Sequence, residues 1–461
     1  MKGSTKMKKI LVMILACSML LALVACGGDT TAPSGDTASA PVADNNDAPA
    51  ADDTPAAEPA PGSDEELTIW WLSDADAELG PFMQIWPSAQ IVYYPGEDLK
   101  TQSRMAVNSG TAPDIFITNA GSIFQDFQRE GALMDLTDII AAHGFMDRIN
   151  PDYIKPYTVD GKYYAFPTAP LTTWMNLYVN KDALAEAGVT TIPGNLQELI
   201  SVSEQLTAAG IAPVAFGDRD GWPAILLLGD FFAQQVSSYA LINDLNFGRI
   251  TFPECTEFVN AMKSLIELGQ NNVFMPGWTA VDHAAAIQTF AAGQTGYLYN
   301  GSWWSAVVDD VAALDFDLDV IWLPLGVGAT EIRSIQASSD MAFVANASST
   351  NLDGIIAFLD FVSSEERSIL GAERNNAFSV YPGANEKVER HPVFNQPEVL
   401  DQFNKPALGP FFDWVFPTPV TELLKVKIVE CIDGTTTLDQ ALADLQAELD
   451  NHVGTMEEIA T

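Results

Sequence analysis

From Leu67 to the C-terminus, short β-branched or aromatic runs alternate with stretches of helical periodicity. A chain patterned this way buries its apolar faces by layering helices against sheets, so the alternation predicts an α/β fold. Strand signals fall at Leu67–Leu72, Gln90–Tyr94, Asp114–Thr118, Trp174–Val179 and Asp317–Leu323. Helix signals fall between them, at Asp98–Asn108, Asn195–Ala208, Glu254–Leu268, Ala284–Ala291 and Leu352–Ser363. Asp182–Ala187 reads as a further helix, stopped by Gly188. Near the end, Thr437 with Gln440 forms a capping-box-like start, and Leu438, Leu442, Leu445 and Leu449 make an apolar stripe that reads as core.

The first 66 residues carry no such pattern. Lys2, Lys6, Lys8 and Lys9 precede Ile10–Ala25, an apolar run broken only by Ser18. This is the layout of an export signal, short of the roughly 20 residues a comfortable membrane span needs. Leu23-Val24-Ala25-Cys26-Gly27 looks like a bacterial lipobox, which makes residues 1–25 a lipoprotein signal peptide and Cys26 the lipidated first residue of the mature chain. Residues 26–66 follow as an acidic Ala/Pro tether, with no aromatic residue, Lys or Arg after Cys26, and cannot bury enough apolar surface to order themselves. The expected location is therefore the outer face of the cell membrane, lipid-anchored, with a single-membrane host the better fit. Of the remaining cysteines, Cys255 and Cys431 are expected to be buried free thiols, although an exported compartment also permits a disulfide.

Charge excludes some partners. Against 22 Lys+Arg stand 61 Asp+Glu, a formal net charge of -39, which disfavours nucleic acid and anionic lipid because both are bound through basic residues. Catalytic motifs are missing too: there is no G-x-S-x-G elbow, Walker loop, G-x-G-x-x-G after a strand, or H-E-x-x-H. His143, His283, His391 and His452 are isolated and read as satisfied core or surface residues, so neither a metal nor a cofactor is expected. Asp315, Asp317 and Asp319 alternate with apolar residues and read as the solvated face of a strand. Asp74, Asp76 and Glu78 follow the first strand signal, where carboxylates can accept hydrogen bonds from sugar hydroxyls or, as a tuned pair, hydrolyse a glycoside.

Ten tryptophans are present, several beside Gly, Ser, Asp or Pro: Trp70 and Trp71 before Ser73-Asp74, Trp174 after Thr173, Trp222 after Arg219 and Gly221, Trp303 and Trp304 after Gly301, and Trp414 after Asp413. An indole face complements the C–H face of a pyranose while neighbouring polar groups bond its hydroxyls. Any single Trp is more often packing than site, but recurrence at loop-like positions favours a binding set.

Four segments together carry a resemblance. Ser109-Gly110-Thr111-Ala112-Pro113-Asp114-Ile115-Phe116, Asp160-Gly161-Lys162-Tyr163-Tyr164-Ala165-Phe166-Pro167, Leu177-Tyr178-Val179-Asn180-Lys181-Asp182, and Phe290-Ala291-Ala292-Gly293-Gln294-Thr295-Gly296 leading to Gly301-Ser302-Trp303 stand in the order found in one family. From about Leu67 onward the chain resembles the extracellular solute-binding proteins of ABC transporters, in the carbohydrate-binding group that includes maltose-binding protein. The resemblance implies a two-lobe, periplasmic-binding-protein-like fold with the ligand in a cleft between lobes joined by several hinge crossings. Lobe one is expected at 67–168 plus 336–375, and lobe two at 169–335 plus 376–461.

Carried over by position, the ligand contacts expected are Trp70, Trp71, Ser73, Asp74, Thr118, Asn119, Thr173, Trp174, Arg219, Trp222, Trp303, Trp304 and Trp414. Thr118, Asn119 and Ser122 stand where maltose-binding protein has charged residues, a departure that speaks against maltodextrin, and Asp114 is expected to be structural. The function implied is that of a monomeric, non-enzymatic receptor that captures an extracellular sugar or oligosaccharide and delivers it to an ABC permease. The alternatives are a receptor for a polyol, a glycerol phosphodiester or another solute, a glycoside hydrolase lipoprotein, and an adhesion or cell-wall protein.

Overall fold

The computed structural model describes residues 64–72, 79–94, 96–148, 154–167, 171–308, 311–334, 336–338, 341–379, 381, 383–403 and 410–459. The signal sequence, Cys26, the tether up to residue 63, and Ser73, Asp74, Asp76 and Glu78 lie outside the described residues.

The chain opens with β1 (Leu67–Trp71), α1 (Gly80–Ile85), β2 (Ala89–Tyr93), α2 (Gly96–Ser109), β3 (Ile115–Asn119), α3 (Ser122–Arg129) and α4 (Thr137–Ala142). A small hairpin, β4 (Thr158–Val159) with β5 (Lys162–Tyr163), precedes β6 (Phe166–Pro167). Next come β7 (Leu171–Asn180), α5 (Lys181–Glu186), α6 (Leu196–Ala208), β8 (Ala212–Ala215), α7 (Trp222–Ala233), α8 (Ala240–Asn246), α9 (Thr256–Gln270), α10 (His283–Ala291), β9 (Thr295–Gly301) and β10 (Leu318–Ile321). The remainder is β11 (Gln336–Ser338), β12 (Met341–Ala345), α11 (Leu352–Val362), α12 (Glu365–Arg374), β13 (Phe378–Ser379), α13 (Pro397–Phe403), α14 (Thr418–Asp433) and α15 (Leu438–Leu449).

These strands build two main sheets. The first runs in the order β2-β1-β3-β12-β6, with β1 parallel to β2 and β3, and β12 antiparallel to β3 and β6. Alternation sets its inner face: Leu67, Ile69 and Trp71 of β1 are buried while Thr68, Trp70 and Leu72 are half-buried. All five residues of β3 are buried because both sides of this central strand are covered. Ile117 packs with Trp71, Phe343 and Phe358 of α11 on one side, and Phe116 with Phe124 and Phe127 of α3 on the other.

The second sheet runs β10-β7-β9-β8, and its longest strand also carries β11 and β13 at its start. The chain leaves the first sheet between β6 and β7, returns between β11 and β12, and leaves again between α12 and β13. Since β11 pairs with β7, the return follows Ser338, beyond the expected boundary at residue 336. Helix α7 is buried from Pro223 to Ala233 and apolar on every side but for Asp230, packed between α9 and the segment 411–416. The last helix starts with one arm of the expected box: the Thr437 hydroxyl accepts from the Gln440 N–H at 3.2 Å, while the Gln440 amide donates to Asp444 instead.

The C-terminal segment touches the first sheet as well. Gly121, at φ 87°, lies against Trp414 so closely that a Cβ would run into its backbone carbonyl. Thr418 donates to the Ser122 hydroxyl at 3.2 Å, Arg129 donates to the Thr455 carbonyl at 2.6 Å, and Glu457 N–H donates to Gln125. Cys255 and Cys431 are buried and unbonded. Among the described residues no helix is long and apolar enough to cross a membrane, and no group of three or more His, Cys, Asp or Glu is placed to hold a metal ion.

Asp114 is a structural residue. Its carboxylate accepts from the Thr68 N–H at 2.8 Å, the Thr68 hydroxyl at 2.7 Å and the Ser349 hydroxyl at 2.6 Å, which ties β1 to the start of β3 and to the loop before α11. Replacing a charged acceptor of this kind orphans its donors. Asp114→Ala is expected to lower unfolding free energy by about 2–4 kcal/mol in urea titrations, while ligand affinity of the folded fraction stays unchanged.

Candidate functional site

Three local folding events bring aromatic side chains together at one end of the second sheet. Helix α7 begins at Gly221, which is left-handed at φ 77° and places Trp222 and Pro223 in the first turn. The Asp218 carboxylate accepts the Ala224 N–H at 2.8 Å and so caps that turn from outside the helix. At the second event, Trp303 folds back over Gly301 at the end of β9, where any Cβ would occupy the indole ring. The third is the start of α10, where Asp282 accepts the Ala285 N–H at 2.7 Å and presents His283.

The resulting shelf is continuous. Trp222 lies 4.8 Å from the His283 ring and 6.4 Å from Trp303, and Trp303 meets Phe411 edge-on at 5.6 Å. Asn300 bonds His283 Nε2 at 3.1 Å, and the Trp303 indole N–H lies 3.4 Å from the same nitrogen. Behind the shelf, Met175, Phe216, Trp222, His283 and Asn300 line a cavity of about 10 Å³, which is at the limit for one water. Both Trp222 and Trp303 are only partly buried, so each keeps indole surface for a ligand.

Electrostatics around the shelf follow from burial. Desolvation pulls the His283 pKa down from its ordinary value, against the Asn300 hydrogen bond and the charges of Asp282 and Asp220 that pull it up. Desolvation pushes Asp218 up to about 7, with the Ala224 N–H and Lys425 acting in the opposite direction. Arg219 is exposed and held by Asp220 and Asp282, each at 3.1 Å, so its charge is already matched.

The other expected contacts divide clearly. Trp414 is buried against Gly121, with the Lys100 ammonium 4.4 Å from its ring centroid, and Phe411 links it to Trp303. Thr118 and Asn119 are buried at the end of β3, just before Gly121. Trp70 is half-buried and edge-on to Tyr94 at 5.0 Å. Thr173 sits opposite Ala337 in the crossing between sheets.

Trp71, Trp174 and Trp304 are corrections to the expected set. Trp71 stacks on Phe343 at 5.1 Å, because residue 71 shares the inward face of β1 with Leu67 and Ile69. Trp174 packs on Phe378, and Trp304 on Tyr178 and Phe290, all inside the second sheet's covered face. The turn after Gly301 sends Trp303 one way and Trp304 the other, a distinction that adjacent identical residues cannot show in sequence. The reading from sequence also missed His283, Asn300 and Phe411. An Asp before His at a helix start and an Asn before Gly-x-Trp were the available signals, and neither is distinctive.

The chain belongs to the bacterial extracellular solute-binding proteins, whose family model matches residues 88–367. A curated relative, a probable sugar-binding periplasmic protein of Brucella suis, is 27% identical over 175 residues, which is 36% of this chain and 40% of that protein. This chain thus matches well under half the length of that relative. Among solved structures, one from work on xylan utilization by the thermophile Caldanaerobius polysaccharolyticus matches with TM-score 0.72 and 21% identity, covering 83% of this chain and 99% of that one. A chitin oligosaccharide binding protein also matches with TM-score 0.72 and 21% identity, over 85% and 99% of the two chains. These matches establish the two-lobe solute-binding fold.

The raised pKa of Asp218 has a defined pH signature. Because its folded value of about 7 exceeds the ordinary 3.8, its stabilising contribution is complete below pH 3.8 and is lost as pH rises through 7. Asp218→Asn keeps an acceptor for Ala224 N–H and removes the buried charge. Thermal melts should show the variant more stable than the parent by about 2 °C or more at pH 8, with the difference shrinking as pH falls below 7 and reaching its minimum near pH 3.8.

Proposed function

We propose that this protein is a membrane-tethered receptor that captures an extracellular sugar or oligosaccharide and delivers it to an ABC permease. The observation that carries the reading is the partly open indole pair, Trp222 and Trp303, flanked by Asn300, His283 and Asp218. Flat apolar faces suit the C–H face of a pyranose, and nearby donors and acceptors suit its hydroxyls. Proteins described as binding sugars or chitin oligosaccharides are among its relatives and structural neighbours, which supports the same reading. In this reading the sheets are the centres of two lobes, and the ligand contacts both. Closure is a population shift whose size equals the differential affinity for the closed state.

The proposed contacts are Trp222 and Trp303 on lobe two with Trp70, Thr118 and Asn119 on lobe one, together with Ser73 and Asp74, which lie outside the described residues. Thr173 belongs to the crossing, Arg219 to the rim and Trp414 to the junction between lobes. Cys26 is the proposed lipidation site, after cleavage of residues 1–25, and the tether ends before Glu65 and Glu66, whose carbonyls accept hydrogen bonds from Trp86, Ser88 and Asn351. The receptor acts as a monomer, without a cofactor and without breaking a bond in its ligand. A phosphate-bearing solute such as a glycerol phosphodiester fits poorly, since the guanidinium of Arg219 is already paired with two carboxylates and the chain is strongly acidic.

Isothermal calorimetry of the full chain in detergent against mono- and oligosaccharides, with chromatography of each ligand afterwards, tests the proposal. Stoichiometric binding with intact ligand is the expected result. Cleaved ligand would show a hydrolase, and silence across the panel would rule out a sugar receptor. Trp303→Ala and Trp222→Ala should each weaken binding at least tenfold, the scale of a lost desolvated aromatic contact, with unfolding temperature little changed. Unchanged affinity with a lowered melting temperature would return these rings to the core.

A further inference from the structure

Helix α3 packs on the first sheet but is held along its length by chain segments that pack with the second. Its inner residues Phe124 and Phe127 lie with Phe116 of β3, while Ile123, partly buried, packs against that cluster and against the core of the second sheet alike. Four successive levels of the helix then meet the C-terminal segment. Gly121, just before α3, lies against the Trp414 carbonyl, and the Ser122 hydroxyl accepts from Thr418. One turn on, the Gln125 side chain accepts the Glu457 N–H at 3.2 Å, and at the far end Arg129 donates to the Thr455 carbonyl at 2.6 Å. Arg129 is aimed by a second bond, from its other terminal nitrogen to Asp126 at 2.6 Å.

Residues 454–459 are held equally well on their other side. Gly454 N–H donates to the Asn246 carbonyl at 2.8 Å, Met456 is buried, and Glu458 pairs with Arg249 at 3.1 Å. The best-made point is Asn243 of α8. Its amide donates to the Ile459 carbonyl at 2.7 Å and accepts the Ile459 N–H at 2.9 Å, so one buried side chain holds both polar groups of one residue. Lifting the segment away would leave that buried amide without either partner, which is the costly way to break a hydrogen bond. Asn246 of the same helix also donates to the Val415 carbonyl at 2.7 Å, which fastens α8 to the segment of Trp414.

The segment is thus bonded on two sides: 455 and 457 reach α3, while 454, 458 and 459 reach α8 and the turn after it. Helix α3 follows directly on Thr118 and Asn119 at the end of β3, and Trp414 is linked to Trp303 through Phe411. Whatever fixes α3 against α8 therefore also fixes the end of β3 relative to the indole shelf.

We propose that residues 454–459 are a strap that ties α3 to α8, and that Gln125 and Arg129 are positioning residues that hold Thr118 and Asn119 at a set distance from Trp303 before a solute arrives. The tie is a property of the free protein, whereas its consequence for affinity rests on the receptor reading above. An apparent Kd is the intrinsic one divided by the fraction of molecules in the binding arrangement. Loosening the strap lowers that fraction, and so weakens capture without removing any contact to the solute.

The test is pulsed double-resonance distance measurement on the full chain in detergent. Spin labels are carried by p-acetylphenylalanine introduced at Asp138 of α4 and Glu204 of α6, which are exposed and lie beside different sheets, so the cysteines are left alone. The parent without solute should give one narrow distance peak. Gln125→Ala combined with Arg129→Ala should broaden it or add a second peak while the melting temperature changes little, and Asn243→Ala should do the same from the other side of the strap. The pair on α3 decides the case where Asn243→Ala fails to fold. A broad distribution in the parent, or a peak unchanged in the α3 pair, would overturn the strap.

Calorimetry with xylotriose and chitotriose reads the positioning role. The α3 pair should bind about three- to tenfold more weakly than the parent, and equal or tighter binding would overturn that role. Silence of the parent with both sugars would count against the receptor reading alone, since the distances are measured without any sugar.

Discussion

One ten-residue strand, β7, holds the molecule together. Its first residues pair with β11 and β13 at the passage between sheets, and its remaining residues sit between β9 and β10 in the middle of the second sheet. A strand with a continuous ladder cannot shift register by one residue without turning its buried face outward. The passage and the sheet are therefore locked to the same register. That register places Asn176 opposite Asn300 and Met175 opposite Gly301, which fixes where the shelf begins. Ser334, just before the passage, accepts the Met175 N–H at 3.0 Å, and its hydroxyl lies 2.8 Å from the Met175 carbonyl and 3.1 Å from the buried carboxylate of Asp230. Tyr299 of β9 donates to the other oxygen of the same carboxylate at 2.8 Å. The passage, β9 and α7 thus share one buried polar anchor.

The shelf itself depends on close approach. Gly301 lets an indole fold over the backbone, and Gly121 lets the end of β3 meet the carbonyl of Trp414. Both positions exclude a Cβ for steric reasons, and both lie beside residues of the candidate site. Packing behind them, from the buried α7 to the aromatic cluster of Phe412 and Phe416, holds the partly buried rings in place. Binding residues on such a frame are positioned before a ligand arrives, which lowers the ordering cost of capture.

Charge works at the rim and not in the shelf. The strongly acidic chain surrounds its few cations with carboxylates, as Arg219 with Asp220 and Asp282, or Lys427 with Glu430 and Asp444, shows. A surface of this charge disfavours anionic solutes. In the proposed function, recognition falls to the stacking faces of Trp222 and Trp303 and to the polar groups around them.

Much of this was legible in the sequence. The alternation of strand and helix signals is a local property, so the positions of β1, β3, α6, α9 and α11 followed from periodicity, and the Gly-x-Trp run marked Trp303 through the family resemblance. The structural part of Asp114 was legible as well. Which of two neighbouring tryptophans faces inward was not, since Trp70 and Trp71, or Trp303 and Trp304, differ only in the face that strand pleat or turn assigns to them. Nor could spacing show that His283, Asn300 and Phe411, distant from one another and from Trp222 along the chain, meet around one indole. Sequence alone determined the fold class and the aromatic and acidic character of the chain, because those depend on local pattern and composition. Tertiary structure decided which rings form the shelf and which nitrogen stands behind it, because those depend on the register of β7 and on chain segments that come together only when both sheets are complete.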